Sequence, residues 1–140
     1  MVKTSNSFDF AIVGGGIVGL SCAYKLQVEY PQLNIVVFEK EASLAAHQTG
    51  RNSGVIHSGL YYRTGSFRAK NCVNGRKQLV EFAKKYNIKH DVCGKVVVAV
   101  NPDEEERLDK ICETGKANGL EGIEKIDAVR LKEIEPYVEG

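Results

Sequence analysis

The chain has 140 residues, 43% apolar and 26% charged, with a net charge of +1. That length buries about two-thirds of its unfolded surface, enough for roughly one domain of ordinary globular composition. The near-neutral balance gives no reason to expect nucleic acid or an acidic membrane surface as a partner.

Phe8–Val13 reads as a buried strand that runs into Gly14-Gly15-Gly16. Ile17 to about Glu29 reads as a helix, with Leu20, Ala23, Tyr24 and Leu26-Gln27 near helical spacing. Pro31 ends it, because proline cannot continue the backbone ladder. Ile35–Phe38 is short and β-branched, as suits a parallel strand covered on both faces. The order is strand, helix, strand: one crossover unit. Residues 41–66 then lose periodicity, apart from a short turn around Ala42–Ala46, and carry glycines at 50, 54, 59 and 65. A loop of that length in a compact domain is usually functional or disordered. Val55, Ile56, Leu60, Tyr61 and Tyr62 are not the composition of a solvated linker, which favours function.

Phe67–Tyr86 is an amphipathic helix with Cys72, Val73, Leu79, Val80, Ala83 and Tyr86 on one face. Gly75 inside it points to close backbone packing there. Ile88–Val92 and Lys95–Val100 read as a hairpin turning at Cys93-Gly94. Asn101-Pro102 caps the next helix, followed by four acids at its positive end, and Leu108, Ile111, Cys112 and Gly115 form its buried side. Asp127 caps a last short helix that Pro136 ends. The predicted architecture is α/β: a dinucleotide-binding βαβ unit, then the start of an α+β domain, with the boundary between residues 86 and 87.

Cys22, Cys72, Cys93 and Cys112 include no CxxC pair, so zinc-ribbon and thioredoxin-like readings fail, no metal is expected, and a reduced setting is the simplest account. Met1–Asp9 is too short and polar for a targeting peptide. Phe10–Leu20 is shorter than a bilayer span and interrupted by four glycines, so no transmembrane segment is expected. The expected location is cytoplasmic, with peripheral attachment to a membrane as a variant.

The spacing of Gly14, Gly16 and Gly19 has a mechanical reading. Gly14 permits the tight turn out of the strand, Gly16 lets backbone approach a pyrophosphate, and Gly19 lets the helix lie close on the sheet. Ile17 and Val18 open the helix, whose amides and dipole favour an anion. Glu39 ends the second strand where it can accept both hydroxyls of an adenosine ribose and repel a 2′-phosphate. Lys40 follows it. A lone G-x-G-x-x-G is a weak signal, but here strand, helix, second strand and acid all stand at the expected distances. The unit alone does not separate FAD from NAD.

The next stretch, His47-Gln-Thr49-Gly-Arg51-Asn52-Ser53-Gly-Val55-Ile-His57-Ser-Gly-Leu-Tyr61-Tyr62, favours FAD. Its hydroxyls and glycine amides can wrap a cofactor that extends past its pyrophosphate, whereas an NAD domain would place another strand and helix here. The Thr49–Tyr62 run resembles the signature of L-2-hydroxyglutarate oxidases and dehydrogenases, in the D-amino-acid-oxidase-like FAD superfamily. The likeness continues through Lys70-Asn-Cys72, Cys93–Val100 and Glu135-Pro-Tyr137, and so covers essentially the whole chain.

The resemblance implies a Rossmann-like FAD domain and a non-covalent flavoenzyme that oxidises L-2-hydroxyglutarate to 2-oxoglutarate, passing electrons to oxygen or a membrane quinone pool. It also implies that this chain is an amino-terminal part of such an enzyme and inactive alone. Gly14, Gly16, Ile17, Val18, Gly19, Glu39, Lys40, Thr49, Arg51, Asn52, Ser53 and Val55 are the expected cofactor-binding residues. His57, Tyr61 and Tyr62 are the expected catalytic ones, His57 because imidazole accepts a proton near neutrality.

Each has a plainer alternative. His57 can be structural, either tyrosine can pack the loop, and Arg51 can be a surface residue. His47 is a further option as a flavin attachment point. Rival functions are a related FAD enzyme acting on an amine, an amino acid or glycerol 3-phosphate, an NAD-dependent dehydrogenase, and a non-catalytic nucleotide-binding fragment.

Overall fold

The computed structural model describes residues 7–140; residues 1–6, most of the polar leader, lie outside the described residues. Among the described residues the protein is mixed α/β, with a two-stranded parallel sheet and four helices. It forms two compact units that divide after Val55.

The first unit holds β1 (Phe10–Val13), α1 (Ile17–Glu29) and β2 (Ile35–Phe38). β1 and β2 pair in parallel, from Phe10 opposite Ile35 to Val13 opposite Phe38. The ladder is closed at one end by the Asp9 carboxylate, which accepts the Asn34 N–H at 2.8 Å. At the other end the Gly14 N–H donates to the Phe38 carbonyl at 2.7 Å. α1 packs on both strands, with Leu20, Ala23, Tyr24 and Leu26 half-buried and Gln27 turned outward. The Gln27 amide reaches the Pro31 carbonyl at 3.1 Å, fastening the chain just after proline has stopped the helix.

The second unit holds α2 (Phe67–Lys85), α3 (Pro102–Ala117) and α4 (Ala128–Ile134). Each begins with a side-chain cap: Ser66 accepts from the Ala69 N–H, Asn101 from Glu104 and Asp127 from Arg130. At α3 the Glu104 carboxylate also reaches back to the Val100 N–H at 2.9 Å, satisfying a second backbone donor. The buried apolar side chains are Ala69, Val73 and Ala83 of α2 with Leu120 and Leu131. Thus the inner stripe of α2 runs through Ala69, Val73, Val80 and Ala83, while Leu79 and Tyr86 face outward. On α3, Gly115 is buried, and Leu108, Ile111 and Cys112 are half-buried, as the spacing predicts.

Besides the outward-facing Leu79 and Tyr86, which the sequence pattern puts on the buried face, two expectations fail here. Residues 88–99 carry no regular secondary structure, so the predicted hairpin is absent. Its outermost backbone groups are committed elsewhere: the Ile88 N–H to Ala83, the Ile88 carbonyl to the His90 ring at 2.7 Å, and the Val100 N–H to Glu104. An isolated two-stranded ladder is marginal and does not displace such local bonds. Gly75 likewise has no packing role, since a Cβ there would meet nothing within 4 Å.

Candidate functional site

The β1–α1 turn is built around Gly14 and Gly19. Gly14 has φ +109°, a left-handed conformation that favours glycine. A Cβ on Gly19 would stand 2.0 Å from the Gly14 carbonyl oxygen, so the first turn of α1 closes over the strand end only without a side chain. The helix therefore starts directly at the sheet edge, as the glycine spacing predicts.

The cap of α1 is unusual. Gly16 occupies the cap position with no side chain to offer, and the first turn contains no acid. Thr49, 32 residues away in sequence, supplies the missing acceptor: its hydroxyl oxygen takes the Ile17 N–H at 3.0 Å. A Cβ on Gly16 would lie 3.1 Å from that oxygen, so glycine makes room for it. The Val18 and Gly19 amides, in the same turn, are left without intrahelical partners by helix geometry. Two free amides, a hydroxyl and the positive helix end make a cradle that fits a diphosphate.

Glu39 stands beside this turn. One carboxylate oxygen accepts the Gly15 N–H at 2.7 Å and the other the Glu41 N–H at 3.0 Å. The Glu41 and Gly15 amides, with smaller contributions from the Lys40 amide and the charge of His47, hold its carboxyl below the usual carboxylate range. An ionised carboxylate with lone pairs to spare suits paired ribose hydroxyls. Gly15, not singled out by the motif reading, is thus the residue whose amide aims the acid. Only the middle glycine's place next to the strand end hinted at it.

Beyond Glu39, the Glu41 carboxylate pairs with His47 at 2.8 Å and with Lys40 at 3.5 Å. His47 is therefore engaged with an acid of its own loop. Asn52 donates to the Gln48 and Thr49 carbonyls and accepts the Gly54 N–H. Arg51, Ser53 and Val55 are exposed along the same loop.

His57, Tyr61 and Tyr62 belong to the second unit. The His57 side chain is exposed, and its carbonyl accepts the Cys72 thiol at 3.2 Å. Gly59 is buried, with φ +94°, where the loop passes over Cys72 and Val73 of α2. The Asn118 amide clamps this turn by donating to the Gly59 and Tyr62 carbonyls at 3.2 and 2.8 Å. The two tyrosines then diverge. Lys95 donates to the Tyr61 hydroxyl at 2.8 Å, whereas the Arg68 guanidinium lies 5.4 Å from the centre of the Tyr62 ring. Asn118, Lys95 and Arg68 escaped the motif reading because each is distant in sequence or lies in an ordinary helix.

Comparison with known proteins gives this geometry a family. The model of the FAD dependent oxidoreductase family matches residues 9–140. The chain is 48% identical to the L-2-hydroxyglutarate dehydrogenase, mitochondrial, of Pongo abelii over 137 residues, 98% of this chain and 33% of that protein. The protein of the same name from Homo sapiens is 48% identical, again over 98% of this chain and 30% of its own length. L-2-hydroxyglutarate dehydrogenase of Indibacter alkaliphilus is 47% identical over 95% of this chain and 33% of its length. The chain thus spans about a third of the relatives it matches.

These names also correct one expectation. Several relatives are called mitochondrial, which overturns the cytoplasmic location inferred from composition. Unpaired cysteines report a reducing environment, and that property does not single out the cytosol. Among the described residues no helix is long and apolar enough to cross a membrane. A glycine turn that needs its glycines, an acid aimed beside it and a family match over residues 9–140 agree: this chain belongs to the FAD dependent oxidoreductase family.

Proposed function

We propose that this chain is an amino-terminal part of an FAD-dependent enzyme that oxidises L-2-hydroxyglutarate to 2-oxoglutarate, and that it supplies the adenine and diphosphate end of the cofactor site. The observation that carries the substrate is the 47–48% identity, over 95–98% of this chain, to relatives named for L-2-hydroxyglutarate. The cradle of the Val18 and Gly19 amides beside the Thr49 hydroxyl supports the cofactor end. In this reading the Gly14–Gly19 turn is a Rossmann-like phosphate loop, and residues 1–86 belong to the FAD domain. Residues 87–140 then begin the substrate domain.

Bound FAD supplies a two-electron acceptor, reoxidised by oxygen or a membrane quinone. The chain's own residues bind and orient. Gly14, Gly16, Ile17, Val18 and Gly19 present backbone to the diphosphate, Glu39 takes the ribose hydroxyls, and Lys40 flanks it. Thr49, Arg51, Ser53 and Val55 line the cofactor beyond, with Asn52 in the same loop. His57, exposed and uncommitted at its ring, accepts the substrate hydroxyl proton. Tyr61 with Lys95, and Tyr62 with Arg68, each offer a phenol beside a cation, a combination suited to the two carboxylates of the substrate.

The test is an anaerobic visible spectrum of the longest natural form of the protein. A flavin band that bleaches with L-2-hydroxyglutarate, and not with its D isomer or glycerol 3-phosphate, is the expected result. A yellow protein that fails to bleach sinks the substrate. A colourless protein that cannot be reconstituted with FAD sinks the cofactor reading.

A further inference from the structure

Thr49 caps α1 from a loop, and a loop residue holds that position only if something fixes the loop. The fixing group is Asn52. Its side-chain nitrogen donates to the Gln48 carbonyl at 3.0 Å and the Thr49 carbonyl at 2.8 Å, and its side-chain oxygen accepts the Gly54 N–H at 2.7 Å. Both N–H donors are spent, and the oxygen is engaged as well. The residue it holds is the one whose hydroxyl takes the Ile17 N–H at 3.0 Å. Gly54, the third partner, has φ +68°, so the loop leaves this staple through a left-handed turn.

We propose that Asn52 is a positioning residue for the diphosphate end of the nucleotide site, acting through Thr49 rather than by touching the cofactor. The inference rests on the dinucleotide reading above and adds a division of labour to it. With its oxygen accepting from Ile17, Thr49 keeps its hydroxyl proton to donate to a diphosphate beside the Val18 and Gly19 amides. Asn52 sets where that proton lies. Asparagine is required because the task needs two donors and an acceptor on one short planar group. Aspartate is almost the same shape but would place an oxygen against two carbonyls.

The experiment measures ADP, adenosine and FAD binding to the longest natural form, as wild type and as Asn52→Asp, Asn52→Ala, Thr49→Val, Thr49→Ser and the Asn52→Asp/Thr49→Val double variant. Asn52→Asp and Thr49→Val are expected to weaken ADP and FAD roughly tenfold, the scale of one charge-assisted hydrogen bond. Adenosine, which has no phosphate, should bind all variants alike, and Thr49→Ser should behave as wild type. In the Thr49→Val background, Asn52→Asp should cost nothing further, since the path it acts through is already cut. Unchanged ADP binding in Asn52→Asp overturns the proposal. So does an equal loss of adenosine and ADP, or a loss that adds fully to that of Thr49→Val. Wild-type protein that takes up neither ADP nor FAD overturns the nucleotide reading itself.

Discussion

At Glu39, two backbone amides hold a carboxylate ionised on the protein surface. The Glu41 and Gly15 amides depress its pKa from the ordinary 4.5. A carboxyl whose folded pKa lies below its unfolded one contributes stability fully present above the unfolded value and lost as pH falls through the folded value. Glu39→Gln is therefore expected to be less stable than wild type at neutral pH, with the difference vanishing on acidification. Urea unfolding of both proteins between about pH 3 and 7 checks this, the transition lying at and below the ordinary glutamate range. A constant difference across that range would mean that the carboxylate charge is not what the amides recognise. The acid was legible in the sequence because its distance from Gly14 follows from one strand and one helix of ordinary length. Its partner Gly15 was not, because the contact depends on how β1 and β2 align side by side.

At the scale of elements, locality decides what could be read. The bounds of α1 and β2 and the caps Asn101 and Asp127 follow from neighbouring residues, and the structure places them where the sequence does. The 88–100 segment depended on a ladder between two runs, and local bonds at Ile88 and Val100 took its donors and acceptors. Glycines inside helices divide in the same way. Gly115 packs closely, for a Cβ there would come within 2.6 Å of the Leu60 and Ile123 side chains. Gly75 faces open space. Gly75→Ala is accordingly expected to raise stability by about 0.5–1 kcal/mol, through helix propensity and a less flexible unfolded chain. Chemical denaturation of the longest natural form reads it out. A destabilised variant would mean that Gly75 is closely packed in the longest natural form.

On the scale of the whole molecule, the amount of uncovered apolar surface is the dominant fact. A parallel pair of strands normally lies between two covering layers. Here Val13 is 88% exposed, and Phe10 and Phe38 are about half exposed. In the second unit Tyr137 is 98% and Phe67 84% exposed, while the buried apolar side chains are mostly alanines and medium aliphatics. Burying one large apolar side chain contributes about 1.5–3 kcal/mol, whereas fixing the backbone of each residue costs about 1–2 kcal/mol. So small a core does not offset that cost over this many residues with the usual margin. The 140-residue polypeptide made alone is therefore expected to bind the dye ANS strongly, to unfold without a sharp transition and to hold FAD poorly. On the reading that this chain is part of a longer enzyme, the longest natural form should exclude the dye and unfold cooperatively, with Val13, Phe38 and Phe67 covered. If the short polypeptide instead excludes ANS and melts sharply, these side chains are covered by a second copy or by rearrangement. Its oligomeric state, measured by sedimentation, would then separate those two possibilities.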